Sequence, residues 1–496
     1  MKHLSCVTVF ITLHLLVFGT NQATGEEALY NGYQLVDVIP ETESQFHALK
    51  SVGNHPQIDE RHIKNLQGVQ LWHESQTVNR PTALLVPSDF SEAFFSYLRD
   101  HNLKYEVKHS DFGRYLTNEK QKEEESRKLS LKSGTFNLNM YHSYDEIMGY
   151  LNDTAKKHEN FVQFGSLGKS FEGREVPFVK IGFPAKAPKK ILLLDAGFHA
   201  NEWNGHASAL HFIDRLVSDS ALADLLHDID IYVIPVMNPD GYEYSRTNKG
   251  HGWRLTRSGP HGDQKCYGAD LNRNWDFHWC TDEFEVLERL AALCICMALE
   301  SAPGPLLTCQ TRLMCDTGLY GAAHAQVPPI TPQYCGEKIF SEPEARALQQ
   351  FMFKNKDLMK GYITLHSYSE LIIHPYGCCE DNVTAQYSED VEYLVSAPPV
   401  RFLTAQSFVK RVANKAADAI VEVGGPRYDV GTARETIIYT ASGASDDYTK
   451  AMGVKFVYTI EIGKEYAVPQ EQIESTARQI VAALIVFARE VQAYTG

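Results

Sequence analysis

The chain has 496 residues, more than the ~250–300 residues that a single hydrophobic core usually holds, so we expect at least two structural parts. Its 44% apolar, 11% aromatic and 22% charged residues are typical of a packed protein and exclude a mainly disordered chain. The 47 Lys and Arg against 62 Asp and Glu give a net charge of −15. A surface of that charge repels phosphate backbones, which argues against a nucleic-acid partner.

The N-terminus has the features of a secretory signal peptide. Lys2 precedes an apolar run from Val7 to Phe18, and small and polar residues follow. The alternative is a membrane anchor, but this run is shorter than the ~20 apolar residues that span a bilayer. We therefore expect residues 1–23 to be removed, and the mature protein to be secreted, extracellular and not bound to a membrane.

Residues 33–112 alternate short apolar runs with stretches of helical pattern. The apolar runs lie at 33–39, 69–72 and 83–86, and the helical patterns lie at 43–51 and 89–102. Strands and helices that alternate over so short a length predict a small α/β unit.

A charge run without an apolar face follows at 118–128. Such a run belongs either to a solvated helix or to a linker. It ends on the basic pair Arg127-Lys128, which is a cleavage site for a processing protease in a secreted protein, or otherwise part of an ordinary surface segment. We expect cleavage at this pair.

Beyond Gly134, helical patterns alternate with buried strands. The helical patterns lie at 143–158, 205–218 and 469–494, and the strands at 189–196, 229–236, 361–366 and 454–462. This alternation predicts an α/β fold with a mixed, largely parallel sheet and helices on both faces. Reactive groups in such sheets gather where the strands end.

Two of these strands end in residues that bind metals. His199 and Glu202 stand three apart just after the first strand, and His366 ends a later one. The His-x-x-Glu spacing alone is weak, because a strand-end histidine beside a helix-capping carboxylate is common. Two histidines and one glutamate together match a three-ligand zinc site with an open fourth position.

The order of six motifs resembles the zinc metallocarboxypeptidases of the digestive A/B type, the M14 family. The motifs are His199-Ala-Asn-Glu202, Trp253-Arg254-Leu-Thr-Arg-Ser258, Asp270-Leu-Asn272-Arg273-Asn-Trp-Asp276, His366-Ser-Tyr-Ser369, Tyr439-Thr-Ala-Ser-Gly-Ala-Ser-Asp446 and Thr459-Ile-Glu461. The resemblance covers nearly the whole chain. It implies a ferredoxin-like activation propeptide at 24–128 and a catalytic domain at 129–496.

The resemblance implies that His199, Glu202 and His366 hold one zinc ion. Asp270 would accept the second ring N–H of His199 and so fix its tautomer. Glu461 would be the general base that takes a proton from the attacking water and passes it to the leaving amine.

The same resemblance assigns the groups that contact the substrate. Arg254 would stabilise the oxyanion that develops on the scissile carbonyl. Asn272, Arg273 and Tyr439 would hold the free C-terminal carboxylate, a task that suits the planar guanidinium of Arg273. That contact makes the implied activity an exopeptidase.

Asp446 is the residue from which we predict specificity. In the family, the position seven residues after the mobile tyrosine lies deep in the side-chain pocket, and an acid there neutralises a C-terminal Lys or Arg. The alternative is that Asp446 and Asp447 are turn residues that face water, in which case an A-type preference for apolar or aromatic ends applies.

The sequence departs from the family pattern at several points. Asn201 replaces the arginine that usually stands beside the zinc-binding glutamate. Residues 280–334 show no clear resemblance and carry five cysteines, so they are either an insertion or translated intron sequence. The usual partner of Cys266 lies in this replaced stretch, and Cys335 is the partner that we expect.

These features predict a secreted zymogen of a zinc exopeptidase that acts on peptides and proteins with a free C-terminus. We expect it to be a monomer, to release Lys or Arg, and to be activated by a trypsin-like protease. A catalytically impaired relative that only binds peptides is the remaining alternative.

Overall fold

The structure is a computed structural model that describes residues 30–54, 69–73, 78–247, 252–260, 267–281, 334–378, 405–437 and 441–495. The predicted signal peptide, Cys266, Tyr439 and most of the atypical segment at 280–334 lie outside the described residues. None of the helices described is both long enough and apolar enough to cross a bilayer.

The N-terminal unit is a four-stranded antiparallel sheet with two helices, counted over its described residues. Along the chain its elements are β1 (Tyr33–Ile39), α1 (Glu43–Asn54), β2 (Gln70–His73), β3 (Thr82–Pro87), α2 (Ser91–Asp100) and β4 (Lys104–His109). The strand order β2-β3-β1-β4 is ferredoxin-like, as expected. Its core is formed mainly by Val36, Val38, Leu84, Val86, Phe94 and Leu98.

The charged run is part of a long helix, α3 (Phe112–Ser133). The solvated helix is therefore confirmed and the linker is wrong, because the run continues a helix that begins inside the N-terminal unit. The helix contacts the main body through ion pairs, two of which lie near its middle. Lys122 Nζ lies 3.6 Å from Glu471 Oε2, and Arg246 Nη2 donates to Glu123 Oε1 at 3.0 Å.

The main body is built on an eight-stranded sheet, as far as its residues are described. The strands are β5 (Val162–Lys169), β6 (Glu175–Ile181), β7 (Lys190–Ala196), β8 (Ile229–Ile234), β9 (Met359–His366), β10 (Leu371–Ile373), β11 (Asp429–Gly431) and β12 (Phe456–Glu461). Their order is β11-β10-β12-β9-β7-β8-β6-β5. The central pairs β8-β7, β7-β9 and β9-β12 are parallel, whereas β5-β6, β6-β8 and β10-β12 are antiparallel. The predicted mixed, largely parallel sheet is confirmed.

Helices cover both faces of this sheet. They are α4 (Tyr144–Lys157), α5 (Trp203–Ser218), α6 (Ala223–Asp228), α7 (Pro239–Ser245), α8 (Pro343–Asn355), α9 (Ala405–Glu422), α10 (Ala433–Thr436), α11 (Ser445–Ala451) and α12 (Ile473–Ala493). Successive residues of a strand point to opposite faces. Accordingly Leu192 and Leu194 of β7 pack in the core with α4, α5, α9 and α12, while Ile191 and Leu193 pack in the core with α8.

Candidate metal centre and substrate cleft

Three predicted metal ligands meet at the ends of two neighbouring strands. His199 lies in the loop after β7, Glu202 is the N-cap residue of α5, and His366 ends β9, which pairs in parallel with β7. All three are buried, with 1–3% of their surface exposed. His199 Nδ1 lies 2.6 Å from Glu202 Oε1, and His366 Nδ1 lies 3.0 Å from Glu202 Oε2. The fold thus brings together groups that are far apart in sequence.

The donor atoms fit a zinc ion. Nδ1 of His199 and Nδ1 of His366 face each other at 3.0 Å, and the ligand atoms of the three residues all lie within 4.8 Å of one another. Burial lowers the pKa of His366, which favours the neutral ring that a metal requires. Burial alone would raise the pKa of Glu202, but the two histidines outweigh it and hold that pKa well below its usual range. Two imidazoles and one carboxylate form a zinc donor set.

Asp270 fixes the orientation of the first histidine. Its Oδ1 lies 3.0 Å from His199 Nε2 and accepts the backbone N–H of Asn272 at 2.9 Å. Its Oδ2 accepts from Arg254 Nη2 at 3.0 Å. Burial opposes ionisation of Asp270, but Arg254 and His199 hold its pKa well below the ordinary value. A buried carboxylate on the second ring nitrogen is the usual outer partner of a metal-binding histidine.

Arg254 also contacts a metal ligand directly. Its Nη1 donates to Glu202 Oε1 at 3.3 Å, and 24% of its side chain remains exposed. The guanidinium is therefore held by two carboxylates, those of Glu202 and Asp270, with part of its surface open to the cleft. A cation fixed in this way can donate to an oxyanion without rearranging.

Glu461 is the last residue of β12, and β12 lies next to β9, the strand that ends at His366. The parallel register of β12 and β9 sets Glu461 directly beside His366. Burial, followed by the charge of Glu202, raises the pKa of Glu461 well above its ordinary value. A carboxylate with a raised pKa beside the metal ligands is suited to accept a proton.

Asn272 and Arg273 lie in a short 3₁₀ turn, Leu271–Arg273, whose N-cap residue is Asp270. Asn272 Nδ2 is 3.5 Å from His366 Nε2, and Arg273 Nη1 donates to the Asn272 carbonyl at 2.8 Å. Gly443 packs against this turn with φ of 64°, and a Cβ there would meet the Arg273 carbonyl at 2.4 Å. Only glycine allows this approach.

Asp446 and Asp447 open α11, and both are buried, with 8% and 0% exposure. The alternative in which they face water is therefore wrong. Asp446 Oδ2 accepts from the Thr459 hydroxyl at 2.8 Å, two residues before Glu461 on the same strand. Asp447 accepts the backbone N–H groups of Gly377 and Cys378 at 2.8–3.0 Å. The two neighbours thus have different partners.

The expected disulfide between Cys266 and Cys335 is wrong. Cys335 forms a disulfide with Cys280, with the Cα atoms 5.9 Å apart, and not with Cys266. The carbonyl of Cys335 accepts hydrogen bonds from Trp279 Nε1 at 3.0 Å and from Asn274 Nδ2 at 2.7 Å. These bonds hold Cys335 close to the segment that precedes Cys280. The bond therefore joins the two ends of the atypical segment.

Three hydrogen-bonding residues of the site were not among those predicted. Ser445 donates its N–H to Asn272 Oδ1 at 2.9 Å, Thr459 binds Asp446, and Ser367 donates its N–H to Glu202 Oε2 at 3.0 Å. Thr459 had a usable signal, because residues two apart on a strand share a face. The backbone contacts have no sequence signal.

Two family profiles match the chain. The profile described as zinc carboxypeptidase, of the M14 peptidases, matches residues 147–288 and 317–483, and the profile described as carboxypeptidase activation peptide matches residues 36–119. The first match leaves out residues 289–316, which fall inside the atypical segment.

Individual relatives match over most of their length. Carboxypeptidase B of Astacus astacus is 32% identical over 71% of this chain and 97% of its own, and human carboxypeptidase A6 is 26% identical over 93% and 91%. The crystal structure of carboxypeptidase A from Helicoverpa armigera shares the fold with a TM-score of 0.67, at 23% identity and coverage of 94% and 99%. Membership of a zinc carboxypeptidase family implies a zinc cofactor and a peptide-bond hydrolase. The chain belongs to the M14 zinc carboxypeptidase family and carries the carboxypeptidase activation peptide of a zymogen.

Proposed function

We propose that this protein is a secreted, monomeric zymogen whose mature enzyme releases Lys or Arg from the C-terminus of peptides and proteins. The observation that carries the basic preference is Asp446, a buried carboxyl group on α11 that accepts from Thr459, two residues before Glu461. The test is kcat/KM on matched peptides ending in Lys and in Phe.

Catalysis is proposed to use the residues around the metal ligands. His199, Glu202 and His366 would hold zinc, which when bound supplies a Lewis acid and lowers the pKa of water. Glu461 accepts the proton of the attacking water and returns it to the leaving amine. Arg254 donates to the carbonyl oxygen as negative charge develops there.

Recognition of the free terminus is proposed for Asn272, Arg273 and Tyr439. Asn272 and Arg273 are both buried, and Asn272 lies beside His366, so this turn is near the bond that would react. A guanidinium binds a carboxylate through two parallel hydrogen bonds, so Arg273 supplies both charge and direction. Tyr439 is assigned from the resemblance alone.

Asp446 is proposed to bind the side chain of the released residue. A carboxylate with 8% exposure is costly to keep charged unless a cation or several donors compensate it. Thr459 supplies one hydroxyl and the Asp447 backbone one N–H. A substrate Lys or Arg would supply the missing positive charge, which an apolar residue cannot.

Residues 1–23 are proposed to be the signal peptide and residues 24–128 the activation propeptide, removed by a trypsin-like protease. The N-terminal unit contacts the catalytic domain close to the metal ligands. Arg80 donates from Nη1 to the carbonyl of Ser369 at 2.9 Å and from Nη2 to Asp429 Oδ2 at 2.8 Å. Ser369 lies three residues after His366, so the docked unit restricts access for long substrates.

The expected cleavage pair is held in helical conformation. Arg127 lies within α3 and pairs with Glu123 of the same helix and with Glu146 of α4. Glu146 also closes a capping box by accepting the Ser143 N–H at 2.9 Å. A protease needs an extended segment, so these contacts slow activation.

Glu146→Gln should speed trypsin cleavage at Arg127 about two- to fivefold, the effect of losing one half-exposed ion pair. Glutamine still completes the capping box, so the substitution isolates the contact with Arg127. Glu125→Gln, on the exposed side of the same helix, is the control and should leave the rate unchanged. Timed digestion followed by N-terminal sequencing measures both rates, and equal rates would contradict the restraint.

The same contact predicts how acid affects the wild-type zymogen. Burial alone would raise the pKa of Glu146, but Arg127 and the Ser143 N–H lower that pKa from 4.5 to about 2. Because the folded pKa is depressed, the stabilisation is complete above about pH 4.5 and is lost as the pH falls towards 2. The restraint on Arg127 is therefore intact at neutral pH.

A further inference from the structure

A cavity of about 1040 Å³ lies between the propeptide and the catalytic domain. Asn201, Trp203 and Arg246 line it from the catalytic side, and Glu123 lines it from α3. Asn201 immediately precedes the metal ligand Glu202, so the cavity adjoins the reaction centre. Its lining includes neither Arg273 nor Asp446, which are assigned to the released residue. The cavity instead lies beside Asn201 and Tyr368, next to the segments that carry Glu202 and His366.

Arg246 is a positioned cation in the wall of this cavity. It follows α7, with its guanidinium 5.2 Å from the ring centre of Trp203 and 5.6 Å from that of Tyr242. Only 14% of its side chain is exposed. Its Nη2 donates to Glu123 Oε1 at 3.0 Å, whereas its buried Nη1 has no hydrogen-bond partner among the described residues. Aromatic packing fixes the plane of the guanidinium, and the bond from Nη2 to Glu123 is one that the carboxylate of a ligand can replace.

Asn201 presents an acceptor in the same wall. Its Oδ1 is buried and accepts no hydrogen bond from the described part of the chain. A buried amide oxygen without a donor is costly, and a peptide backbone N–H would satisfy it. A cation and a side-chain amide in the wall of one cavity are suited to an extended peptide that carries a carboxylate.

We propose that Arg246 and Asn201 form a subsite for an acidic residue that lies upstream of the scissile bond in the substrate. Glu123 of the activation helix occupies this subsite in the zymogen, as a carboxylate supplied by the chain itself. Removal of the propeptide releases Glu123, and Nη2 of Arg246 is then available to the substrate. The inference rests on the proposed exopeptidase, and it adds a preference that is independent of the released residue.

The test compares short peptides that differ only by Glu or Gln at one upstream position, with the C-terminal residue held constant. Trypsin-activated wild-type enzyme should prefer Glu about five- to tenfold in kcat/KM at one of these positions, as expected for a charge-assisted hydrogen bond in a partly open site. The preference should fall as NaCl is raised. Arg246→Gln should bring the ratio close to one.

The control is Arg215→Gln, which removes an exposed arginine of α5 that pairs with Asp219. This variant should keep the wild-type ratio of kcat/KM for the Glu and Gln peptides. Calorimetric binding of the same peptides to Glu461→Gln separates the subsite from turnover. If Glu461→Gln binds the Glu peptide more tightly but the wild type hydrolyses neither peptide, the subsite is supported and the proposed activity is refuted. Equal hydrolysis of the Glu and Gln peptides at every upstream position, or a preference insensitive to salt, overturns the inference even if Arg246→Gln fails to fold.

Discussion

Glu461→Gln is expected to lower kcat by about 10²- to 10⁴-fold, the usual contribution of a general base. The amide keeps the shape of the side chain but cannot accept the proton of the attacking water. Glu461 is not among the three metal ligands, so the zinc content and the melting temperature should stay near the wild-type values. Stopped assays of single-residue release, together with elemental analysis, measure both quantities.

Glu344→Gln is the matched control for this substitution. Glu344 is also a buried glutamate, and burial raises its pKa to about 8, but it accepts the N–H of Phe171 and lies outside the cleft. Because Glu344 is largely protonated at neutral pH, glutamine is a close substitute. Comparable losses of kcat in the two variants would mean that Glu461 acts through stability, and the proposed base would be wrong.

Asp446→Ile is expected to reverse the substrate preference. Losing one partner of a buried charge pair costs ~2–5 kcal/mol, or roughly thirty- to several thousand-fold in kcat/KM for Lys- and Arg-ended peptides. Peptides ending in Phe or Leu should be hydrolysed faster by the variant, because isoleucine replaces a carboxylate to which an apolar side chain supplies no cation. The ratio of kcat/KM for Lys to that for Phe measures the change.

Asp447→Asn is the control, because Asp447 is also buried but accepts backbone N–H groups of Gly377 and Cys378. Burial, followed by Asp446, raises the pKa of Asp447 well above its ordinary value. Its replacement should lower the melting temperature and leave the Lys-to-Phe ratio of kcat/KM nearly unchanged. If both variants shift the Lys-to-Phe ratio equally, or neither does, the A-type preference replaces the basic one.

Some elements could be predicted because their physical signal is local. Ile191 to Leu194 form a continuous apolar run because β7 is buried on both faces. The start of α4 is marked by Ser143 and Glu146, which form the capping box. The three metal ligands could be proposed because each follows or ends a strand whose apolar run is visible in the sequence.

Other features have no local signal. β4 was not predicted because it is an edge strand of mostly exposed residues without an apolar run. β5 is likewise an edge strand, and its Gly165 lies against the ring of Phe178 on β6. The pairing of Cys280 with Cys335 depends on where the chain re-enters the fold, which composition does not determine. The role proposed for Arg246 depends on its contact with Glu123, which is 123 residues away in the sequence.

The central claim is that His199, Glu202 and His366 form the zinc centre of a C-terminal exopeptidase. Its most direct test is mass spectrometry of a Lys-ended peptide, with a free or an amidated terminus, incubated with activated enzyme after the trypsin has been inhibited. The account predicts loss of one residue from the free acid and none from the amide, no loss after chelation, and recovery when zinc is added. Cleavage of the amide, cleavage at internal bonds, or activity that survives complete chelation would contradict it.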